Sequence, residues 1–356
     1  MTSRPSISIY ARLRRTIGLV FIIAIVLVIL ANVFSLVFAK LLVNRGFWLE
    51  NKVWKELLLN TQTPAPELVL VGSSRVQNHF NTDYFNNRGR RTFNFGVPGI
   101  FPWDYPSMVQ QAARVATKTV VISVPAEVLF YTAIGCPGQW TIPDLFFYAK
   151  EQPACLQKAT LTQWLQPLPI NALFSETSAE VHHFPCEDDA EDRLLNQVAA
   201  FHGSGLCDDP RKLMLLRYSR RWVAVFSNGD GLIVPDDYPP RQAQVLWQDK
   251  RGVPLDAKVV SFLRALADIV RDAGKTPIFV VDAAPVDHVI IDHVLEQQTG
   301  ARTLYMNEIS FSDDEIADHD HVGARGNSRL TSALFEQLFG VPDAQAAALE
   351  SEARRL

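Results

Sequence analysis

Glu67-Leu68-Val69-Leu70-Val71-Gly72-Ser73-Ser74-Arg75 is a continuous apolar run that stops abruptly at a glycine and two serines. β-prone residues closed by Gly describe a buried parallel strand that turns sharply at its carboxyl end. In an open α/β sheet, ligands bind beyond that end. A serine there offers its hydroxyl to a substrate, while its own N–H and those of the following turn point at a developing negative charge. The rhythm recurs. Thr92–Phe95 is a second strand with a helix over Phe101–Ala116 behind it, and Thr119–Val124 is a third. Val259, Val260, Phe262, Leu263, Leu266 and Val270 recur at helical spacing up to Gly274, ahead of a strand from Thr276 to Val281 that ends at Asp282. A short strand over Arg302–Met306 and a last helix over about Arg325–Phe339 complete an α/β chain with a parallel sheet.

Serines after a strand are most often turn residues or N-caps, so the chemistry rests on two further stretches. One is Phe93-Asn94-Phe95-Gly96-Val97-Pro98-Gly99. The other is Asp318-His319-Asp320-His321-Val322-Gly323-Ala324-Arg325-Gly326, which leads into the last helix. In this order the three stretches resemble the signature blocks of the SGNH (GDSL-like) hydrolase superfamily. The resemblance implies a three-layer α/β/α, flavodoxin-like fold and a serine-centred triad that needs neither cofactor nor metal. It puts Ser74 at the nucleophile, with Ser73 where many members have Asp, and His321 at the base with Asp318 as its partner. Gly326, at the family's offset, selects this pair over the adjacent His319 and Asp320. The N–H groups of Ser74 and Gly99 fall at the oxyanion positions, Gly99 standing five residues after Asn94. In the family's third block Gly-x-Asn-Asp is replaced by Pro125-Ala126-Glu127-Val128, so no Asn is present to donate. An ionised Glu127 would repel an oxyanion, which leaves it to orient Arg75 or to stand outside the site. Arg75 and Asn94 are the further candidates for supporting substrate or oxyanion.

From Thr16 to Ala39 no charged residue occurs. At about 1.5 Å per residue this run crosses a hydrocarbon core of about 30 Å, and it is longer than the apolar region of a signal peptide. Arg4, Arg12, Arg14 and Arg15 precede it, whereas Lys40, Arg45 and Glu50 follow. The positive-inside rule therefore predicts a cytoplasmic stretch over 1–15, a transmembrane helix over 16–39 in the inner membrane, and a periplasmic remainder. That remainder divides into a juxtamembrane helix and linker (40–66), an SGNH-like domain (67–342) and a polar tail (343–356). Leu41–Leu59 carries the juxtamembrane helix, with Trp48 and Trp54 at the interface or packed on the domain, and Thr61–Pro66 is a stiff linker.

The stretch from about 130 to 250 breaks the βα rhythm and reads as a large, partly helical insertion that covers the strand ends. It contains all four cysteines, Cys136, Cys155, Cys186 and Cys207. In an oxidising compartment two disulfides are expected, most simply Cys136 with Cys155 and Cys186 with Cys207, although four cysteines allow three connectivities. No Cys-x-x-Cys pair occurs, and His182-His183 in an extended segment point to opposite faces, so no metal site is expected. Asp287-His288 and Asp292-His293 read as the solvated face of a helix over Val286–Gln298. A net charge of −4 without a basic, aromatic-interleaved patch argues against nucleic acid.

The anchor and outer domain look like the tethered SGNH-like proteins that O-acylate envelope polymers, as in alginate acetylation or teichoic-acid D-alanylation, beside a membrane-bound O-acyltransferase. The expectation is an O-acetyl transferase or esterase acting on a cell-envelope or exopolysaccharide polymer. Its rival is a non-catalytic scaffold of the same fold that binds polysaccharide or an export complex, with the missing Asn as its support.

Overall fold

Residues 14, 16–23, 25–27, 29–30, 52–138, 140–158, 180–182, 212–218, 221–226, 228–235 and 246–340 are described by a computed structural model. Its centre is a five-stranded parallel sheet built from β1 (Leu68–Gly72), β2 (Thr92–Gly96), β3 (Thr119–Pro125), β9 (Thr276–Asp282) and β11 (Arg302–Tyr305). The spatial order is β2-β1-β3-β9-β11, every neighbouring pair parallel. This doubly wound order reverses direction at β1, so β1 and β3 part at their carboxyl ends into a crevice.

Central strands of such a sheet are covered on both faces, which is why they read as unbroken apolar runs rather than alternating ones. Successive side chains point to opposite faces. Val69, Val71, Phe93, Phe95, Val120, Ile122, Phe279 and Val281 share one core with the helices Pro106–Val115 and Ala257–Asp272, while Leu68, Leu70, Val121, Ile278, Val280 and Leu304 share the other with Ser74–His79, Thr82–Asn86 and Ala324–Phe339. Each such side chain, once enclosed, contributes about 1.5–3 kcal/mol. We label the helices α1 (Lys52–Asn60), α2 (Ser74–His79), α3 (Thr82–Asn86), α4 (Pro106–Val115), α5 (Ile142–Glu151), α6 (Pro153–Lys158), α7 (Ala257–Asp272), α8 (Leu295–Thr299) and α9 (Ala324–Phe339).

The insertion is only in part helical. Besides α5 and α6 it holds a four-stranded antiparallel sheet of β4 (Glu180–His182), β5 (Lys212–Tyr218), β6 (Arg221–Phe226) and β7 (Gly231–Pro235). Its β6–β7 turn docks on the open edge of the parallel sheet, where the Asn94 N–H donates to the Asn228 carbonyl at 2.9 Å. A Cβ on Gly229 would lie 1.9 Å from the Asn94 carbonyl oxygen, so only glycine permits that approach. The turn thus shields an edge strand from stray pairing. The expected helix over Val286–Gln298 is corrected. Asp287–Ile290 forms strand β10, parallel to β8 (Leu246–Asp249), and only Leu295–Thr299 is helical. The β-branched run Val289-Ile290-Ile291 favours extended backbone.

Cys136 and Cys155 are bonded, with Cα atoms 5.4 Å apart and positions 19 apart in sequence. A closed loop of that length stabilises the fold by about 3 kcal/mol. Cys186 and Cys207, Trp48, the acidic run 187–192 and the tail 343–356 lie outside the described residues. Those described between 14 and 30 are helical with exposed apolar side chains, and 31–39 of the expected transmembrane segment lie outside the description. Among the described residues no helix is long and apolar enough to cross a membrane.

Helix α1 is pinned by two fully enclosed lysines. Lys52 Nζ donates to Asp144 Oδ2 at 2.6 Å and to the Asp104 carbonyl at 2.5 Å, and Lys55 Nζ donates to the Gly229 carbonyl at 2.7 Å. Unpartnered, such ammonium groups would be prohibitively placed. Burial still pulls Lys55 down to about 7, against the raising field of Asp230. Beside them, burial pushes Glu56 up to about 7, with Lys52 pulling it back, and its Oε1 has no hydrogen-bond partner. A carboxyl raised in the folded state keeps its proton after the unfolded chain has released one, so its stability contribution falls as pH rises between the two values. Glu56→Gln is therefore expected to gain on the parent in unfolding free energy as pH rises from about 4.5 to 7. Denaturant titrations at several pH values check this; parallel profiles would refute it.

Candidate active site

The carboxyl end of β1 is shaped by what fits. A Cβ on Gly72 would lie 2.3 Å from Val76 Cγ2, so glycine lets α2 begin immediately after the strand. Ser73 is the N-cap, its Oγ accepting the Arg75 N–H at 3.3 Å. Ser74, the first residue of the helix, is left half-buried at the mouth of the crevice.

Ser74 Oγ lies 2.8 Å from His321 Nε2, and His321 Nδ1 lies 2.8 Å from Asp318 Oδ1. Asp318 Oδ1 also accepts the backbone N–H groups of Asp320 at 2.9 Å and His321 at 3.0 Å. The loop therefore curls around its own carboxylate, which is how a three-residue spacing brings carboxylate and imidazole together. A carboxylate beside Nδ1 holds the ring proton there, leaving the Nε2 lone pair for the serine hydroxyl. Gly326 allows the close packing behind this loop, since a Cβ would sit 2.6 Å from the Glu315 carbonyl oxygen.

Arg75 ties the two halves of the site together. Its guanidinium donates to Asp282 Oδ1 at 3.0 Å, Glu127 Oε1 at 3.2 Å and Asp320 Oδ1 at 3.3 Å. Burial opposes its charge, but Asp282 first, then Glu127 and Asp320, more than offset this and raise its pKa. Asp282, at the tip of β9, also accepts the Ser123 hydroxyl at 2.8 Å. Its carboxyl is pushed up by burial and pulled back by Arg75. Of the two roles open to Glu127, the geometry gives it the orientation of Arg75.

His79 was not among the expected site residues. It is fully enclosed at the end of α2, with Nε2 3.2 Å from the Asp320 carbonyl oxygen and its ring edge-on to His321 at 6.0 Å. Burial, then the neighbouring His321 and Arg75, lowers its pKa well below the usual range, so a neutral ring donates Nε2–H to that carbonyl. The same short helix thus carries the serine and two residues, Arg75 and His79, that hold the loop bearing its base. No sequence motif marks His79, one of five polar side chains on this six-residue helix.

One expectation is placed differently. Asn94 is fully buried and does not reach the crevice. Its Nδ2 donates to the carbonyls of Val76 at 2.9 Å and Phe80 at 3.2 Å, and to Asp230 Oδ1 at 3.1 Å, while its Oδ1 accepts the Gly96 N–H at 3.0 Å. It fastens α2 to β2 from behind. Gly99 lies exposed in the turn after β2 with φ 72°, a left-handed conformation glycine adopts freely. Among the described residues no cluster of His, Cys, Asp and Glu could hold a metal. The chain matches no protein-family model, no curated protein and no solved structure.

Proposed function

We propose that this chain is a serine acyltransferase or acylesterase of the SGNH type, anchored by its N-terminal apolar run and acting outside the cytoplasm on the O-acyl groups of an envelope polysaccharide. The observation that carries this reading is the hydrogen-bonded series Ser74, His321 and Asp318 at the switch point of a doubly wound sheet. A serine hydroxyl is a poor nucleophile without an adjacent base, and here the base accepts from it directly. Ser74 Oγ attacks the acyl carbonyl as His321 Nε2 takes its proton. The imidazolium then protonates the departing group, leaving the acyl chain as a Ser74 ester. Water or a sugar hydroxyl next loses its proton to His321 and attacks that ester, releasing acid or acylated polymer and restoring Ser74–OH.

The oxyanion is assigned to the N–H groups of Ser74, free at the first turn of its helix, and Gly99. Each such donor is worth about 3 kcal/mol of barrier. With Arg75 committed to carboxylates and Glu127 where the family has its Asn side, a two-donor hole favours an activated donor, such as one passed on by a membrane-bound O-acyltransferase. The test is a fluorophosphonate probe on the full chain, with the adduct mapped by mass spectrometry. Modification at Ser74, together with movement of labelled acetyl to or from a polymer, is expected. An unlabelled Ser74 in folded protein would overturn the reading and favour a binding scaffold.

A further inference from the structure

The two strands beside β1 are β2 and β3, so the loops that leave their carboxyl ends flank Ser74 on either side. The first carries Phe101 and Trp103, and the second carries Tyr131. The Phe101 and Trp103 rings stack at 4.8 Å and 14°, and Tyr131 lies 6.2 Å from Trp103. Phe101 is 47% exposed and Tyr131 39%. Tyr131 follows directly on the turn Ala126–Phe130, whose Glu127 accepts a hydrogen bond at 3.2 Å from Arg75, the neighbour of Ser74.

This aromatic run is held from behind. The Gly135 backbone packs so tightly on the Trp103 indole that a Cβ would lie 2.6 Å from the ring, and the disulfide at Cys136 fixes that segment. The Trp103 carbonyl accepts the Tyr148 hydroxyl, and the Phe101 N–H donates to Asp104 Oδ2 at 3.1 Å. A rigid ring that keeps an open face beside a candidate nucleophile is preorganised to bind something flat and apolar on one side. The electron-rich face of an aromatic ring attracts weakly positive C–H bonds, which the face of a pyranose supplies, while its hydroxyls project around the rim.

The charges of the rim select among sugars. The Glu127 and Asp320 side chains are 36% and 55% exposed, whereas that of Arg75 is 10% exposed and shared by these two carboxylates and Asp282. A polymer bearing a carboxylate on each ring would meet like charge here; neutral hydroxyls can donate to these oxygens. We propose that Phe101 and Tyr131, backed by Trp103, form the acceptor subsite of this centre, and that it takes the ring face of a neutral pyranose polymer with Glu127 and Asp320 accepting from its hydroxyls. The word acceptor rests on the acyl-transfer reading above; the sugar subsite does not.

Binding is measured by calorimetry on the full chain carrying Ser74→Ala, which prevents turnover. The probes are neutral hexasaccharides of β-1,4-linked glucose and of β-1,4-linked galactose, and a β-1,4-linked mannuronate hexamer. At least one neutral probe is expected to bind, about tenfold more weakly in Phe101→Ala and with affinity kept in Phe101→Trp, whose ring is larger. Phe146→Ala, which removes a more exposed ring on α5, is expected to leave binding unchanged, and the mannuronate probe is expected to bind at least tenfold more weakly than the neutral one. The proposal is overturned if neither neutral sugar binds, if binding is indifferent to Phe101→Ala and Tyr131→Ala, or if mannuronate binds as tightly. If binding depends on Phe101 but Ser74 takes no fluorophosphonate label, the acyl-transfer reading falls and the sugar subsite stands.

Discussion

Ser74→Ala is expected to lower turnover of an activated acetyl ester by about a million-fold, His321→Ala by nearly as much, and the double variant by no more than the worse of the two. The non-additivity is the informative part. In the proposed mechanism Ser74 Oγ and His321 Nε2, 2.8 Å apart, act as one unit, so a base without its nucleophile has nothing to activate. Asp318→Asn is expected to cost about ten-thousandfold, because an amide at that position no longer fixes the ring proton on Nδ1. Turnover is read with a chromogenic acetate ester, and thermal unfolding checks that each variant folds. Full activity in Ser74→Ala would remove the serine ester from the mechanism, and additive losses would mean that serine and imidazole work separately.

The parallel core was legible because burial on both faces leaves a strong local imprint. Leu68–Val71, Val120–Val124 and Ile278–Val281 are runs of mostly β-branched apolar residues, interrupted only by Ser123 and closed by Gly, Pro or Asp. The insertion left a weaker imprint. Its hairpins cover one sheet edge, and the Asn228-Gly229-Asp230 turn that docks there looks like any loop until Asn94 is seen beneath it. Within the helix expected over Val286–Gln298, pairing of Asp287–Ile290 with β8 and burial of Val289 and Ile291 decide for a strand.

Within the site, the sequence marked Ser74, His321 and Asp318, with Arg75 and Glu127 beside them, and left Asp282 and His79 unmarked. Ser74, His321 and Asp318 sit in short motifs at turns, and each motif keeps its spacing wherever the loop goes. Asn94 was drawn toward the crevice by its nearness to Gly99 along the chain. It stands two residues inside the end of β2, in register with Leu70, and its amide is consumed by the backbone of α2. Asp282 read only as the end of a strand, and nothing in the sequence singled out His79. Their roles arise because Arg75 and the 318–321 loop, distant in sequence, fold against them.

Replacing Arg75 by Met is expected to cost about 3–5 kcal/mol of stability near pH 7, because it strands a buried carboxylate. Asp282 is fully enclosed and would be left with the Ser123 hydroxyl. Arg75 is the principal influence drawing the Asp282 carboxyl back down against burial, so its removal sends that carboxyl further up. An acid raised in the folded state is stabilising to protonate, and its penalty appears as pH climbs past the unfolded value. The deficit of Arg75→Met should therefore be small near pH 4.5 and grow toward pH 7.5 in urea titrations. Asp282→Asn in the same chain removes the stranded charge and should return a substantial part of the loss, a coupling of about 0.5–3 kcal/mol. Fluorophosphonate labelling of Ser74 should not return with it, since the Arg75 hydrogen bond to Asp320 that steadies the His321 loop is absent from both variants. That split separates Arg75 as a partner for a buried acid from Arg75 as a positioning residue. A deficit equal at both pH values and indifferent to Asp282→Asn would mean that the guanidinium serves this crevice by packing alone.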